Sequence, residues 1–173
     1  MSITEKLLHY YPDAQFALTS DADFSTLQWF GPGDAPDETT FAALEWPALD
    51  VLRLTKWEAV KVLRDDAING GVNVAGIGPF QSDEISRGYI TGAVVMAQTA
   101  LANSQPFAMD WTLADNSVAS LDGPTMIAVG IAVGQHIAAC HERAQVLRAA
   151  IESAANTAAL AAIDITTGWP ENA

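Results

Sequence analysis

Apolar and polar positions along this chain follow two different periods, and their order predicts its elements. From Ala48 to Ile68, Leu49, Leu52, Val60, Leu63 and Ala67 recur at helical spacing, with Lys56, Lys61, Arg64 and Asp65 between them. That pattern predicts an amphipathic helix. Asn69-Gly70-Gly71 ends it with residues that tolerate positive φ. Val72–Val74 and Pro79–Gln81 then flank a Gly76-Ile77-Gly78 turn, a short hairpin. Ser82 reads as the N-cap of a second helix reaching about Asn103, with Asp83 and Glu84 near the positive end of its dipole. The uncharged surface of that helix, including Ile90, Val94, Val95 and Met96, predicts burial on most sides. Phe107, Met109, Trp111 and Leu113 alternate with polar or small residues, as in a strand with one apolar face. Ala114–Ser117 turns, Asn116 tolerating the left-handed region, and Val118–Leu121 returns. Asp122 caps a third long helix with Pro124 in its first turn, running to about Ala155, and Asn156 caps a last short one, Thr157 to Ile163.

The front of the chain is less regular. Ser2-Ile3-Thr4-Glu5 has the capping-box pattern and predicts a helix to about Tyr10, ended by Pro12. Ala14–Thr19 and Leu27–Phe30 read as short strands. Gly31 to Asp37 holds two Gly and two Pro and reads as a linker or extended arm. Thr39 or Thr40 is the expected cap of one more turn through Leu44, and Pro47 suits the first turn of the next helix. The expected fold class is therefore α+β: three long helices interleaved with two β-hairpins, preceded by a small α+β N-terminal module. The expected boundary separates residues 1–46 from residues 47–173.

Composition narrows function. Half of the 173 residues are hydrophobic and 17% are charged, so the chain can bury a core. Net charge is −13, of which residues 1–50 carry −8 through nine Asp/Glu and one Lys. Eight scattered Lys and Arg form no cluster for phosphate contacts, which argues against nucleic acid as a partner. The acidic front reads as a solvated surface or as steering toward a basic partner. MSITEKLLHYYPDAQ carries no charged leader followed by an apolar stretch, so no signal peptide is expected. The charge-free runs Gly88–Met109 and Gly123–Cys140 are interrupted by polar residues, Gly and Pro, and read as buried helices rather than membrane spans.

No constellation for catalysis emerges. Cys140 is the single cysteine and stands four residues after His136. No second cysteine or paired histidine completes a zinc set, and buried packing is the expected role of both. The glycines between Gly70 and Gly78 follow a helix and lack a Gly-Lys-Ser/Thr sequence, so they read as turn residues rather than a phosphate loop. Asp83, Glu84 and Asp110 are explained by capping and exposure. Trp57 and Trp111 are expected in the core. Trp46 and Trp169, beside prolines near element ends, are expected partner contacts together with Trp29 and Phe30, and Asp34, Asp37 and Glu38 are expected to steer.

The run WEAVKVLRDDAINGGVNVAGIGPFQSDEISRGYITGA, then FAMDWTLADNSVASLD, then the helix with Cys140-His141-Glu142, resembles a domain family recurrent in tailed bacteriophages and prophages. That family is itself of unassigned function and is usually found in tail-fibre or tail-fibre-assembly proteins. The likeness spans roughly Leu54 to Pro170. The matching positions are Arg64, Gly71, Val72, Phe80, Ser82, Asp83, Trp111, Asp122 and Cys140, each expected to be structural. The family often has Asp-Gly where this chain has Asp115-Asn116, which leaves the turn feasible. Tyr11–Ala14 through Trp29 and the Asp34–Thr40 stretch are similar to short N-terminal modules of phage tail-fibre assembly proteins.

The resemblance implies a tail-fibre assembly chaperone or fibre-associated protein. It would bind the distal region of a trimeric tail fibre without enzymatic activity, cofactor or metal. It would act in the host cytoplasm during assembly or be retained on the virion tail. The alternative is a structural baseplate or tail component, a homo-oligomer self-associating through its uncharged helices.

Overall fold

The computed structural model describes residues 2–173 and has the mixed helix and strand content of an α+β protein. The chain divides into two compact units, one ending at Leu54 and the other beginning at Thr55.

The first unit contains helix α1 (Ile3–Tyr10), strands β1 (Gln15–Leu18) and β2 (Leu27–Gly31) and helix α2 (Glu38–Ala43). Ser2 caps α1 by accepting from the Glu5 amide over 3.1 Å. β1 and β2 pair antiparallel, Phe16 opposite Trp29 and Leu18 opposite Leu27. Those inward residues pack on Ile3, Leu7 and Phe41. Asp37, and neither Thr39 nor Thr40, caps α2, because its carboxylate takes both the Thr40 amide and the Thr40 hydroxyl. Pro47 precedes the helix α3 (Leu49–Asn69) instead of entering its first turn.

The second unit contains the rest of α3, hairpin β3 (Val72–Val74) with β4 (Gly78–Phe80), and helix α4 (Glu84–Ala102). Hairpin β5 (Ala108–Thr112) with β6 (Val118–Asp122), helix α5 (Gly123–Ser153) and helix α6 (Thr157–Ala161) follow. Each hairpin is its own two-stranded antiparallel sheet. Side chains of both hairpins, including Phe80, Leu113 and Leu121, meet Ile90 and Ala97 of α4 and Met126 and Val129 of α5 in one core. Asp122 caps α5 through the Thr125 amide, and Asn156 caps α6 through the Ala159 amide. Asn116 takes a positive φ in the second turn, where the Asp115 carboxylate accepts from the Ser117 amide and hydroxyl.

Two further expectations are corrected. Ser82 does not cap α4; Asp83 does, accepting from the Ile85 and Ser86 amides. The Ser82 hydroxyl is buried and turned to the end of α3, where it accepts from Gly71 N and donates to Ile68 O. Nor is α4 buried on most sides. Ile90, Ala93 and Ala97 form one buried stripe, while Ile85, Tyr89, Val95 and Met96 are exposed. A single layer of neighbours covers about one side of a helix, and uncharged residues on the other side remain in solvent.

Helix α5 is long and apolar enough to cross a bilayer by length and composition alone. Its buried residues Met126, Val129, Val133, His136, Cys140, Ala144, Leu147 and Ile151 form one stripe at spacings of three and four. That is the face a core helix presents to its neighbours.

Candidate protein-interaction surfaces

In the first unit, residues chosen for partner contact differ sharply in how available they are. Trp29 faces inward on β2, its ring stacked on Phe16 and edge-on to Tyr11. Its indole Nε1 donates to the Gly33 carbonyl over 2.9 Å and so ties down the start of the Pro32–Asp37 loop. The next residue points the opposite way, as strand alternation requires. Phe30 is 66% exposed. Asp34, Asp37 and Glu38 are all exposed. The hydroxyl and amide of Thr40 hold the Asp37 carboxyl below the usual carboxylate range, so it stays ionised.

Trp46 is half-buried, with its ring 5.6 Å from that of His9. The His9 imidazole in turn stands 3.3 Å from the Asp50 carboxylate, and the Tyr10 hydroxyl donates to the Glu45 carbonyl. Trp46 is thus partly spent on packing the Tyr10–Asp50 end of its own unit. Lys6 of α1 is buried, its ammonium 4.6 Å from the Phe41 ring centre. Burial lowers its pKa.

In the second unit, Trp169 packs against the cluster of Ala67, Ile68 and Cys140. Its indole donates to Ile165 O. Arg143 secures the same segment by donating to the Thr167 carbonyl. Trp169 is therefore half-buried cover for the Cys140 thiol, whose pKa burial raises. His136 is also occupied, donating from Nε2 to the Ala67 carbonyl at 2.9 Å. Among the described residues, no three His, Cys, Asp or Glu side chains are grouped to hold a metal.

Trp57 and Trp111 are half-buried rather than enclosed. The Arg148 guanidinium lies 5.3 Å from the Trp57 ring centre, a cation–π contact at the surface. Trp111 lies 6.3 Å from Phe80, ring to ring, and packs on the core from its edge.

Reading the sequence missed a groove on the second unit. It runs between α4 and α5, has a volume of about 360 Å³, and is lined by Thr91, Val94, Ile127, Ile131, Gly134 and their neighbours. The charge-free runs Gly88–Met109 and Gly123–Cys140 were its signal, and such runs also fit a buried core helix.

No curated protein and no solved structure matches this chain. Residues 51–167, about two thirds of the chain, match the family described as Domain of unknown function (DUF4376), and the chain belongs to that family.

Proposed function

We propose that this chain is a non-enzymatic bacteriophage protein that binds the distal region of a tail-fibre polypeptide, as an assembly chaperone or as a protein that stays with the fibre. The observation that carries this reading is Phe30, a large ring exposed on β2 and followed within eight residues by the exposed carboxylates of Asp34, Asp37 and Glu38. An apolar anchor with an acidic surround suits a protein surface that is apolar at its centre and basic at its rim. The ring supplies affinity, and the charges raise the encounter rate more than the final affinity.

The likeness of residues 54–170 to a domain recurrent in tail-fibre and tail-fibre-assembly proteins supports the choice of partner. An unassembled fibre exposes apolar surface and unpaired strand edges that aggregate, and the chaperone's task is to cover them until the trimer forms. That task takes place in the host cytoplasm and needs neither nucleotide nor metal.

The test is co-expression of the cognate fibre with and without this chain, followed by sedimentation and pull-downs at low and high salt. The chain should raise the yield of soluble trimer. Phe30→Ser should abolish most of that gain, whereas Asp34→Asn with Glu38→Gln should mainly slow association. If the fibre trimerises equally well alone and no complex survives at either salt concentration, the reading is wrong and a structural tail component takes its place.

A further inference from the structure

The second hairpin leaves one of its edges without a partner. β5 and β6 pair in regular antiparallel register from Ala108 opposite Asp122 to Thr112 opposite Val118, and the Leu113 amide donates to the Ser117 carbonyl just beyond. Hydrogen-bonded and non-hydrogen-bonded pairs alternate along such a ladder. Met109 and Trp111, in phase with Leu113, therefore turn their backbone groups to β6, whereas Asp110 and Thr112 turn theirs away from it. Ala114, next on the outward side, shows what that edge can do: its amide donates to the Pro79 carbonyl of β4 over 2.9 Å. The pairing goes no further. The two hairpins are separate sheets, and among the described residues nothing bonds to the outward backbone groups of Asp110 and Thr112.

This edge is open by sequence as well as by position. Exposed edges are ordinarily blunted by lysine, proline or a bulge. Pro79 stands in the middle of β4, and the β1–β2 pair has a register shift between Gln15 and Phe16. β5 has neither device, and its single charged residue is Asp110.

Beside the open edge lies a pocket of about 370 Å³, where Gln81, Ser86 and Tyr89 meet β5 residues 109–112. Tyr89 is 67% exposed, and no contact joins its ring to that of Trp111. Asp110 is the only charged residue in the lining, and among the described residues its carboxylate has no ion pair or hydrogen bond. Aromatic faces beside an unpaired carboxylate suit a basic side chain, whose methylene stem packs on the rings while its cation meets Asp110. The chain's net charge of −13 attracts a basic partner to the same place.

We infer that the outer edge of β5 is a docking site for an extended segment of another protein, which adds as a third strand on Asp110 and Thr112 and lays a lysine or arginine beside Tyr89 and Trp111. Two requirements identify this occupant. Backbone donors and acceptors that repeat every second residue, roughly 7 Å apart, are matched by another extended backbone, and the pocket selects its side chain. An acidic strand is refused, because its carboxylates would face Asp110. The site lies in the second unit and depends neither on Phe30 nor on a fibre being the partner.

The probe is a capped peptide, Ser-Thr-Val-Arg-Val-Thr-Val-Ser, titrated calorimetrically against the full chain. Binding should saturate and should weaken as salt rises. Amide exchange followed by NMR reports the strand itself: the Asp110 and Thr112 amides should exchange freely in the protein alone and slow several-fold with peptide, whereas those of Met109 and Trp111 should be protected in both states. Methylating the alternate peptide nitrogens that would bond to β5 should remove binding, as should glutamate in place of the central arginine. Asp110→Lys and Tyr89→Ser, both at exposed positions, should leave the circular dichroism spectrum unchanged. Asp110→Lys should reverse the preference toward the glutamate peptide, and Tyr89→Ser should weaken binding about tenfold, the worth of one cation–π contact. No binding up to the solubility limit of the peptide overturns the inference. So does binding that leaves the Asp110 and Thr112 amides unprotected, or protection that arises on concentrating the protein alone, which would make a second copy the occupant.

Discussion

The Gly71 amide donates to the Ser82 hydroxyl over 2.9 Å, and that hydroxyl in turn donates a hydrogen bond to the Ile68 carbonyl at 2.6 Å. One buried side chain therefore joins the end of α3 to the start of α4 across the β3–β4 hairpin. Gly71 holds φ at +95°, and a Cβ there would meet the Phe80 carbonyl oxygen at 3.2 Å, so only glycine fits without strain. Ser82→Ala leaves a buried amide and carbonyl without their shared partner and should cost about 1–3 kcal/mol. Chemical denaturation measures it; a loss below about 0.5 kcal/mol would mean that water replaces the hydroxyl.

Covering Cys140 is the second consequence of the fold. Trp169 packs on the cluster that holds this thiol, and Arg143 pins the segment that carries it. Trp169→Ala should speed alkylation of Cys140 several-fold under native conditions while leaving helix content intact. An unchanged rate would place the protection in α3 and α5 alone.

Acid should loosen the same segment. Asp164 accepts from the Thr166 hydroxyl and amide and from the Thr167 hydroxyl, which with Arg143 lowers its pKa from 3.8 to about 2. A carboxyl depressed on folding contributes stability above its unfolded value, and that contribution disappears as pH falls through the folded one. Between pH 4 and pH 2, Asp164→Asn should therefore lose less stability than the parent chain. Parallel acid-unfolding curves would contradict the assignment.

Lys6 works in the opposite direction at alkaline pH. Burial lowers its pKa below the ordinary 10.5, so in that window the unfolded chain binds more protons than the folded one. The stability contributed by this group then rises with pH. Tyr10, raised by burial and by the nearby Asp50 and Glu45 carboxylates, loses stability above its ordinary 10.0, so the two must be separated. Lys6→Met isolates the lysine: the stability difference between parent and variant should shift in favour of the parent as pH rises toward 10.5. A constant difference would show that the ammonium is fully solvated.

Trp111 tests how much of the core depends on its edge. Its indole packs beside Phe80 but is not fully enclosed, so Trp111→Ala should cost about 2 kcal/mol, less than the 3–5 typical of an enclosed ring. Denaturant midpoints with an unchanged slope measure it. A loss above about 4 kcal/mol would mean that the hairpin itself comes away.

Most elements held by contacts within one or two turns of chain were legible from residues alone, although the caps of α2 and α4 fell on Asp37 and Asp83, neighbours of the residues expected. Asp122 and Asn156 cap through amides three residues away, and Asn116 adopts its turn through neighbours on the same hairpin. The matched family range, 51–167, lies close to the stretch whose motifs carried the resemblance, because those motifs are local punctuation. What local spacing cannot carry is partnership at a distance. Ser82 answers a carbonyl 14 residues away, His136 one 69 residues away, and Lys56 one 104 residues away. The charge-free runs Gly88–Met109 and Gly123–Cys140 are the sharpest case. With no charged stripe to mark an outer side, the sequence of α4 and α5 there says only that either side tolerates burial. Which side is covered, and that Ile131 and Gly134 are left facing solvent, was decided when the two hairpins packed against the other.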